Sequence, residues 1–571
     1  MELRIDGSAV GRCRALASAI VAPVEAFIAA HSTVSVERAV LRLLGVDGVG
    51  ADEIPVPNLI VDSLPLAERG RGAALAFGKG VAETGLDPAA LGAALAAGRY
   101  GLEEFSAVPD AAARGALRPL VDDALARIRG RREERSGKLE RLGQLPTPLL
   151  YVIVASGNIY EDRAAAVAAA QAGAQIIAVI RSTGQSLLDF VPFGPTTEGF
   201  GGTYATQANF RIMRDALDEV AESLGRYVML TNYASGLCMP EIAAMAALER
   251  LDMLLNDSMY GILFRDINMK RTFIDQHFSR MLNAYSGIII NTGEDNYLTT
   301  ADAVDQAPAV LASQFINEEF AHRAGMPDAQ IGLGDAYEID PDLEDGFLYQ
   351  VAQAQLTRQI FANAPLKYMP PTKHMTGDIF KGHLIDALFN LTSVMTGQTI
   401  HLCGMLTEAI HTPYLGDRAL SIENARYVMN TARHFGDEIT IRPGVVDCFV
   451  EGPGGAPFFF HLVEQRQSAQ FFGAGQFGDV HPQIIMGGSQ GWPVVNQFLA
   501  GCHALFGQAL ALVIVAGVFR AIKAGPAQLP CRLVLVGMGG VTGHSRFVVP
   551  CDDPRHACGL SGQSQNKAKQ P

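Results

Sequence analysis

The chain lacks the marks of several large classes of protein. Its longest apolar runs, such as residues 510–519, are shorter than the about 20 residues of a membrane span, so no membrane partner is predicted. No basic stretch offsets the formal net charge of −14, which argues against a nucleic-acid-binding surface. No apolar core with a small-residue cleavage site follows the first residues, so we predict no secretion signal. Hydrophobic residues make up 49% of the chain and charged residues 18%, which is typical of a globular protein.

The eight cysteines have no spacing that would indicate a metal or redox site. No two of them form a CxxC pair, and the histidines also lack ligand spacing. We therefore predict no metal site, and reduced thiols in a cytoplasmic enzyme. The cysteines stand at positions 13, 238, 403, 448, 502, 531, 551 and 558.

Composition divides the 571 residues into three zones, as expected of a chain too long for one core. Residues 1–145 are rich in Ala and Leu at helical spacing and predict a helical accessory domain. Residues 146–440 alternate short β-rich runs with amphipathic stretches and predict the catalytic domain. Residues 441–571 turn rich in Gly and Cys with weak periodicity. We interpret them as an atypical tail, disordered or produced by a shifted reading frame.

The middle zone has the pattern of a (β/α)8 TIM barrel, an α/β fold. Eight strand–helix units fit the length of this zone. An open doubly wound sheet is the rival fold, but the GxGxxG fingerprint that usually follows its first strand is absent. The predicted strands are 149–155, 175–180, 226–231, 253–256, 287–291, 330–334, 365–369 and 399–404.

Polar residues collect after the predicted strands, where barrel enzymes place their chemistry. Arg181 and Ser186 follow the second strand, Ser235 follows the third and Arg265 the fourth. Guanidinium and hydroxyl groups of this kind hold phosphates. Any one serine is more often a loop cap, but four such groups on three neighbouring strand ends favour an anion site. Tyr260 is either a packing residue or an aromatic face for a cofactor ring.

Acidic, amide and lysine side chains follow or lie within later strands. Asp295 and Asn296, with Glu294 beside them, either bind a substrate ammonium or cap the next helix. Lys367 lies within the seventh strand and is an ion-pair member, a carboxylate binder or a Schiff-base former. Glu408 stands on an apolar segment after the eighth strand, where a carboxylate needs a partner, so we expect it to be functional.

These loops belong to long motifs of high specificity. They include VIVASGNIYED, IRSTGQSLLDFVPFGPTTEGFGGTYAT, LTNYASGLCMPE, NDSMYGILFRDINMKR, INTGEDNYLTTADA, PLKYMPPTKHMTG and HLCGMLTEAIHTP. Through these motifs the chain, from about residue 100 to 437, resembles the alpha subunit of lysine 5,6-aminomutase.

The resemblance implies a TIM barrel that works inside an alpha/beta heterotetramer, alpha2beta2. The family uses pyridoxal 5'-phosphate (PLP) and adenosylcobalamin to move the terminal amino group of D-lysine or L-beta-lysine from carbon 6 to carbon 5. Its beta subunit carries the DxHxxG cobalamin-binding motif and the lysine that holds PLP. In this chain DVHPQI (479–484) begins like that motif, but Ile484 replaces the glycine, so we interpret the match as chance.

The resemblance also implies residue roles. Lys367 would bind substrate and would not carry the cofactor. The predicted catalytic residues are Tyr260, Lys367 and Asp295. The implied PLP contacts are Arg181, Ser186, Ser235 and Arg265, with Tyr260 stacked on the pyridine ring; the implied substrate contacts are Asp295, Asn296 and Lys367; and Glu408 lies near the adenosyl group.

Two other functions are compatible with the residues. A stand-alone TIM-barrel lyase would use Lys367 as a Schiff base, and borohydride would trap substrate on this chain alone. A non-catalytic remnant scaffold, left by corruption of residues 441–571, would bind its partner without turnover. The family's sequence departs from this chain at about residue 440, where the proposed frame shift would begin.

Overall fold

The computed structural model describes residues 3, 5–143, 146–179, 187–294, 303–336, 339–407 and 413–439. All of these residues belong to one compact unit. Residues 440–571 lie outside this description, so the interpretation of the tail stays a prediction.

The described N-terminal residues form helices. Short polar side chains start three of them: Asp6, Thr33 and Asp87 each accept a hydrogen bond from a backbone N–H in the first turn. A short 3-10 helix, Leu102–Phe105, precedes the longest helix. The helices are α1 (Gly7–Ile28), α2 (Val34–Leu43), α3 (Val56–Ser63), α4 (Leu66–Arg69), α5 (Ala73–Thr84), α6 (Pro88–Ala96) and α7 (Asp110–Leu142).

The next described residues form a barrel of parallel strands. Their order in the sheet is β6-β5-β4-β3-β2-β1-β9-β8-β7. Strands β6 and β7 belong to one chain segment interrupted at Leu333, and this segment pairs with β5 on one side and β8 on the other. Eight segments therefore close the barrel, which confirms the predicted fold. The strands are β1 (Leu149–Ile153), β2 (Ile176–Ala178), β3 (Met229–Tyr233), β4 (Met253–Leu255), β5 (Ile289–Asn291), β6 (Ile331–Gly332), β7 (Gly334–Ala336), β8 (Lys367–Met369) and β9 (Ile400–Leu402).

The third strand begins later than the predicted 226–231. Arg226 precedes β3, and its guanidinium donates to the carbonyl of Ala174, 3.0 Å away, two residues before β2. The N–H of Tyr227 donates to Gly143 at 3.1 Å. Both residues therefore belong to the loop that leads into β3.

Helices surround the barrel and alternate with its strands. The outer faces of the strands, which include Leu150, Val152, Leu230 and Leu254, pack in one apolar cluster with these helices. The helices are α8 (Ile159–Ala172), α9 (Gln207–Leu224), α10 (Met239–Leu248), α11 (Ser258–Arg265), α12 (Met269–Ser286), α13 (Ala303–Arg323), α14 (Gly346–Ile360), α15 (Ile379–Met395), α16 (Leu415–Thr431) and α17 (Phe435–Glu438).

The N-terminal helices pack directly on the outside of the barrel. Arg14 of α1 pairs with Glu318 of α13, with 2.9 Å between Nε and Oε2. The N–H of Leu3 donates to the side chain of Gln359 at 2.7 Å. Arg135 of α7 donates to the carbonyl of Leu251 at 2.8 Å. Within the described ranges, none of the helices is both long and apolar enough to cross a membrane.

Candidate functional site

The loop between β3 and α10 contributes a buried hydroxyl to the barrel mouth. Ser235 has 3% of its surface exposed, and its Oγ has no hydrogen-bond partner among the described residues. Leaving a buried hydroxyl unpaired costs about 1–3 kcal/mol, so such groups in native proteins call for an explanation. An acceptor atom on a ligand bound at the mouth would supply one.

The loop that follows β2 contacts the loop that carries Ser235. The thiol of Cys238 donates to the carbonyl of Leu188 at 3.2 Å. Arg38 of α2 donates to the carbonyl of Asp189 at 2.8 Å, so an N-terminal helix also holds this loop. The ends of the second and third strands are thus joined at one side of the mouth.

Helix α11 is tied to the end of β5 by Asp257. One carboxylate oxygen accepts from the N–H of Met259 and the other from the N–H of Gly293, each at 2.9 Å. A side chain at position 293 would bring its Cβ to 3.3 Å from the Cβ of Tyr260. A Cβ there would make a tight contact, because the chain passes close against Tyr260.

Tyr260 and Arg265 of α11 form a ring and cation pair. The guanidinium carbon lies 5.5 Å from the ring centroid, and an Nη2–H donates to the phenol oxygen at 3.4 Å. Both side chains are half-buried. A flat ring beside a cation, with the unpartnered hydroxyl of Ser235 at a neighbouring strand end, fits a phosphorylated aromatic ring such as PLP.

Lys367 points into the barrel interior. It is the first residue of β8, it is 1% exposed, and it pairs in register with Ile400. The side chain of Ile400 belongs to the apolar cluster inside the barrel, and residues in register share a face. The side chain of Lys367 therefore lies inside the barrel, on the same face as Ile400.

Glu294 belongs to a buried polar network that the sequence did not predict. Its Oε1 accepts from the amide of Asn317 at 2.7 Å, and Asn317 accepts from the buried guanidinium of Arg280 at 2.9 Å. Burial, with the neighbouring charge of Asp257, raises the pKa of Glu294 well above its ordinary value. The other carboxyl oxygen of Glu294, Oε2, is buried and has no hydrogen-bond partner among the described residues.

The structure describes four of the nine predicted site residues. Ser235, Tyr260, Arg265 and Lys367 follow or lie in the third, fourth and seventh barrel segments. Among the described residues, no group of three or more His, Cys, Asp or Glu side chains is arranged to hold a metal ion. Outside the described residues lie Arg181, Ser186, Asp295, Asn296 and Glu408.

Comparisons with known proteins agree with this barrel. The sequence model of the D-lysine 5,6-aminomutase TIM-barrel domain of the alpha subunit matches residues 3–483, a wider range than 100–437. The lysine 5,6-aminomutase alpha subunit of Acetoanaerobium sticklandii is 56% identical over 442 residues, which cover 77% of this chain and 85% of that protein. The protein of the same name from Fusobacterium nucleatum is 57% identical over 447 residues, or 78% of this chain and 86% of its own.

A more distant relative is also an aminomutase subunit. The D-ornithine 4,5-aminomutase subunit beta of Acetoanaerobium sticklandii is 31% identical over 252 residues, covering 44% of this chain and 34% of that protein. All three relatives are named as subunits of aminomutases, which are isomerases. With a family match over most of its length, this chain belongs to the lysine 5,6-aminomutase alpha-subunit family.

Proposed function

We propose that the chain is the alpha subunit of a PLP- and adenosylcobalamin-dependent aminomutase that moves the terminal amino group of D-lysine or L-beta-lysine from carbon 6 to carbon 5. The observation that carries the proposal is the buried, unpartnered hydroxyl of Ser235 at the strand end next to the Tyr260–Arg265 pair. Hydroxyl donor, cation and aromatic face are the groups that a phosphorylated pyridine requires.

Different residues of the mouth would contact different parts of PLP. Ser235 would donate its O–H to the phosphate, and Arg265 would neutralise phosphate charge beside it. Tyr260 would stack on the pyridine ring, with Asp257 fixing the helix that carries it. Arg181 and Ser186 are proposed to complete the phosphate contacts from the loop after β2.

The substrate would be held between the mouth and the barrel interior. When bound, PLP supplies an electron-accepting ring that carries the migrating amine, and adenosylcobalamin supplies the radical that starts the reaction. Lys367 would bind the substrate from inside the barrel, while Asp295 and Asn296 would bind an amine. Apolar inner-face side chains such as Ile176 and Leu402 would exclude water from the reactive species.

A partner subunit would complete the enzyme. The chain has no intact DxHxxG motif, because Ile484 stands where the glycine belongs. We therefore propose that a beta subunit brings the cobalamin-binding domain and the PLP lysine, in an alpha2beta2 heterotetramer. Glu408 would approach the adenosyl group from this chain.

Co-expression with such a beta subunit tests the proposal. The complex should convert lysine to a diaminohexanoate, and Arg265→Ala or Arg181→Ala should lower its PLP occupancy. Arg163→Ala is the matched control, since Arg163 is an exposed arginine on α8 outside the barrel. Unchanged PLP occupancy in both mouth variants would refute the phosphate site.

The same preparation separates the two other functions. Borohydride trapping of substrate on this chain without its partner would indicate a stand-alone Schiff-base lyase that uses Lys367. Co-purification with the beta subunit but no conversion of lysine would indicate a non-catalytic scaffold.

A further inference from the structure

The barrel interior contains one polar layer, to which four alternate segments contribute one residue each. In a barrel of this type, side chains at one height come from alternate strands and are displaced by two residues in register. The rule connects four residues in turn and leads back to the first strand, so that they form one closed layer: Tyr151, Thr231, Asn291 and Lys367. The intervening residue pairs are Ile176 and Ala178, Met253 and Leu255, Gly332 and Gly334, and Ile400 and Leu402.

Three polar atoms of this layer, on Thr231 and Asn291, are buried without partners among the described residues. Thr231 is 0% exposed and Asn291 is 1% exposed. Neither the Oγ1 of Thr231 nor the two amide atoms of Asn291 have a hydrogen-bond partner among the described residues. Since buried polar groups are nearly always bonded, three such atoms at the height of Lys367 indicate a place for a polar ligand group.

The chemistry of the layer favours a carboxylate as that group. Lys367, Asn291 and Thr231 offer an ammonium, an amide N–H and a hydroxyl, all of which donate. Neither this layer nor the two that flank it contains an acidic side chain. A carboxylate only accepts, and it accepts most strongly from charged donors.

The barrel segment formed by β6 and β7, which lies between Asn291 and Lys367, leaves free space between these two side chains. Its inner-face residues are Gly332 and Gly334, so it places no side chain between them. A Cβ added at Gly332 would lie 2.9 Å from the Oδ1 of Asn291, so the end of this amide lies over the neighbouring segment.

We propose that Asn291 and Thr231, together with Lys367, bind the carboxylate end of the amino-acid substrate. This inference rests on the proposed function, which supplies the substrate, and it adds two binding residues for which the family resemblance implied no role. The amino end of the same molecule would then extend toward Tyr260 at the mouth.

Equilibrium binding tests the proposal without turnover. Thr231→Val and Asn291→Leu would be made in the alpha/beta complex, loaded with PLP but not with cobalamin. Dialysis would measure the Kd of lysine and of 1,5-diaminopentane, which keeps both amines and the five carbons that carry them but lacks the carboxylate. We expect each substitution to raise the Kd of lysine about tenfold or more and to change that of diaminopentane less than about twofold.

Asn232→Leu is the matched control. Asn232 is the next residue along β3, is 1% exposed and also has both amide atoms unpartnered. It pairs with Leu254 on the outer face of the barrel, away from Lys367, so both Kd values should stay unchanged. Thr231→Val keeps the shape of the side chain, and it remains informative if Asn291→Leu does not fold.

Two results would overturn the inference. An equal loss of affinity for both ligands would indicate damage to the barrel, and unchanged affinity for both would indicate that the layer holds only ordered water. If the wild-type complex binds PLP and lysine, either result for the variants leaves the proposed function intact. A wild-type complex that binds neither refutes the proposed function itself.

Discussion

Replacing Ser235 with alanine should strengthen the fold and weaken coenzyme binding at the same time. The Oγ of Ser235 is buried and has no partner among the described residues. Folding without ligand therefore leaves the hydroxyl dehydrated, at a cost of about 1–3 kcal/mol. Ser235→Ala removes that cost, so the free energy of unfolding of the PLP-free complex should rise by about 1 kcal/mol.

The same substitution removes a hydrogen bond to a charged phosphate. Such a bond contributes about 1.5–3 kcal/mol, so the Kd of PLP should rise about tenfold to a hundredfold. Urea unfolding of the PLP-free complex measures the first quantity, and titration followed by PLP absorbance measures the second. The two effects have opposite signs, which simple damage to the protein would not produce.

Ser393→Ala is the matched control. Ser393 of α15 is 0% exposed and its Oγ is also unpartnered, but it lies on a helix outside the barrel. It should give the same small gain in stability with no change in PLP affinity. The reasoning fails if Ser235→Ala lowers stability, or if it leaves the Kd of PLP at the wild-type value.

Three further predictions concern stability. Burial raises the pKa of Asp275 from 3.8 to about 7, so the folded state keeps a proton that the unfolded state releases. The free energy of unfolding should therefore fall as the pH rises from about 4 to 7. Asp275→Asn should flatten this dependence on pH in urea unfolding, and an unchanged slope would contradict the assignment. Gly332→Ala would place a Cβ against the carbonyl oxygen of Ile290 and should lower the free energy of unfolding by about 1–3 kcal/mol; an unchanged Tm would contradict this. Arg280→Met should lower the free energy of unfolding by about 1–3 kcal/mol, because it removes the buried N–H donors that bond to the carbonyl and side-chain oxygens of Asn317, and an unchanged free energy on urea unfolding would argue against that role.

The strand segments were predictable because their signals are local. An apolar β-rich run such as 149–155 is buried on both faces of the sheet, and the polar loop after each run marks the mouth. Arg226 and Tyr227 misled the prediction of the third strand. They precede an apolar run, but hydrogen bonds to loop carbonyls and to Asp252 hold them outside the sheet.

The polar layer could not be predicted, because its members meet only through the closure of the barrel. Thr231 and Asn291 each stand at the end of an apolar run, where a polar residue is ordinary. Their common height depends on the register of every strand between them. The close approach of Tyr260 to Gly293 is likewise indicated by no sequence spacing.

The position of α1 has a consequence for synthesis of the chain. Leu3 bonds to Gln359, which is 356 residues later, and Val21 and Val24 of α1 are fully buried in the cluster that includes α13. At about 5–20 residues per second, a ribosome needs roughly 20 to 70 seconds to reach Gln359. Until α12 and α13 have been made, the apolar side of the first helix has no native partner. Nascent chains should therefore be a substrate for chaperones until the second half of the barrel has emerged.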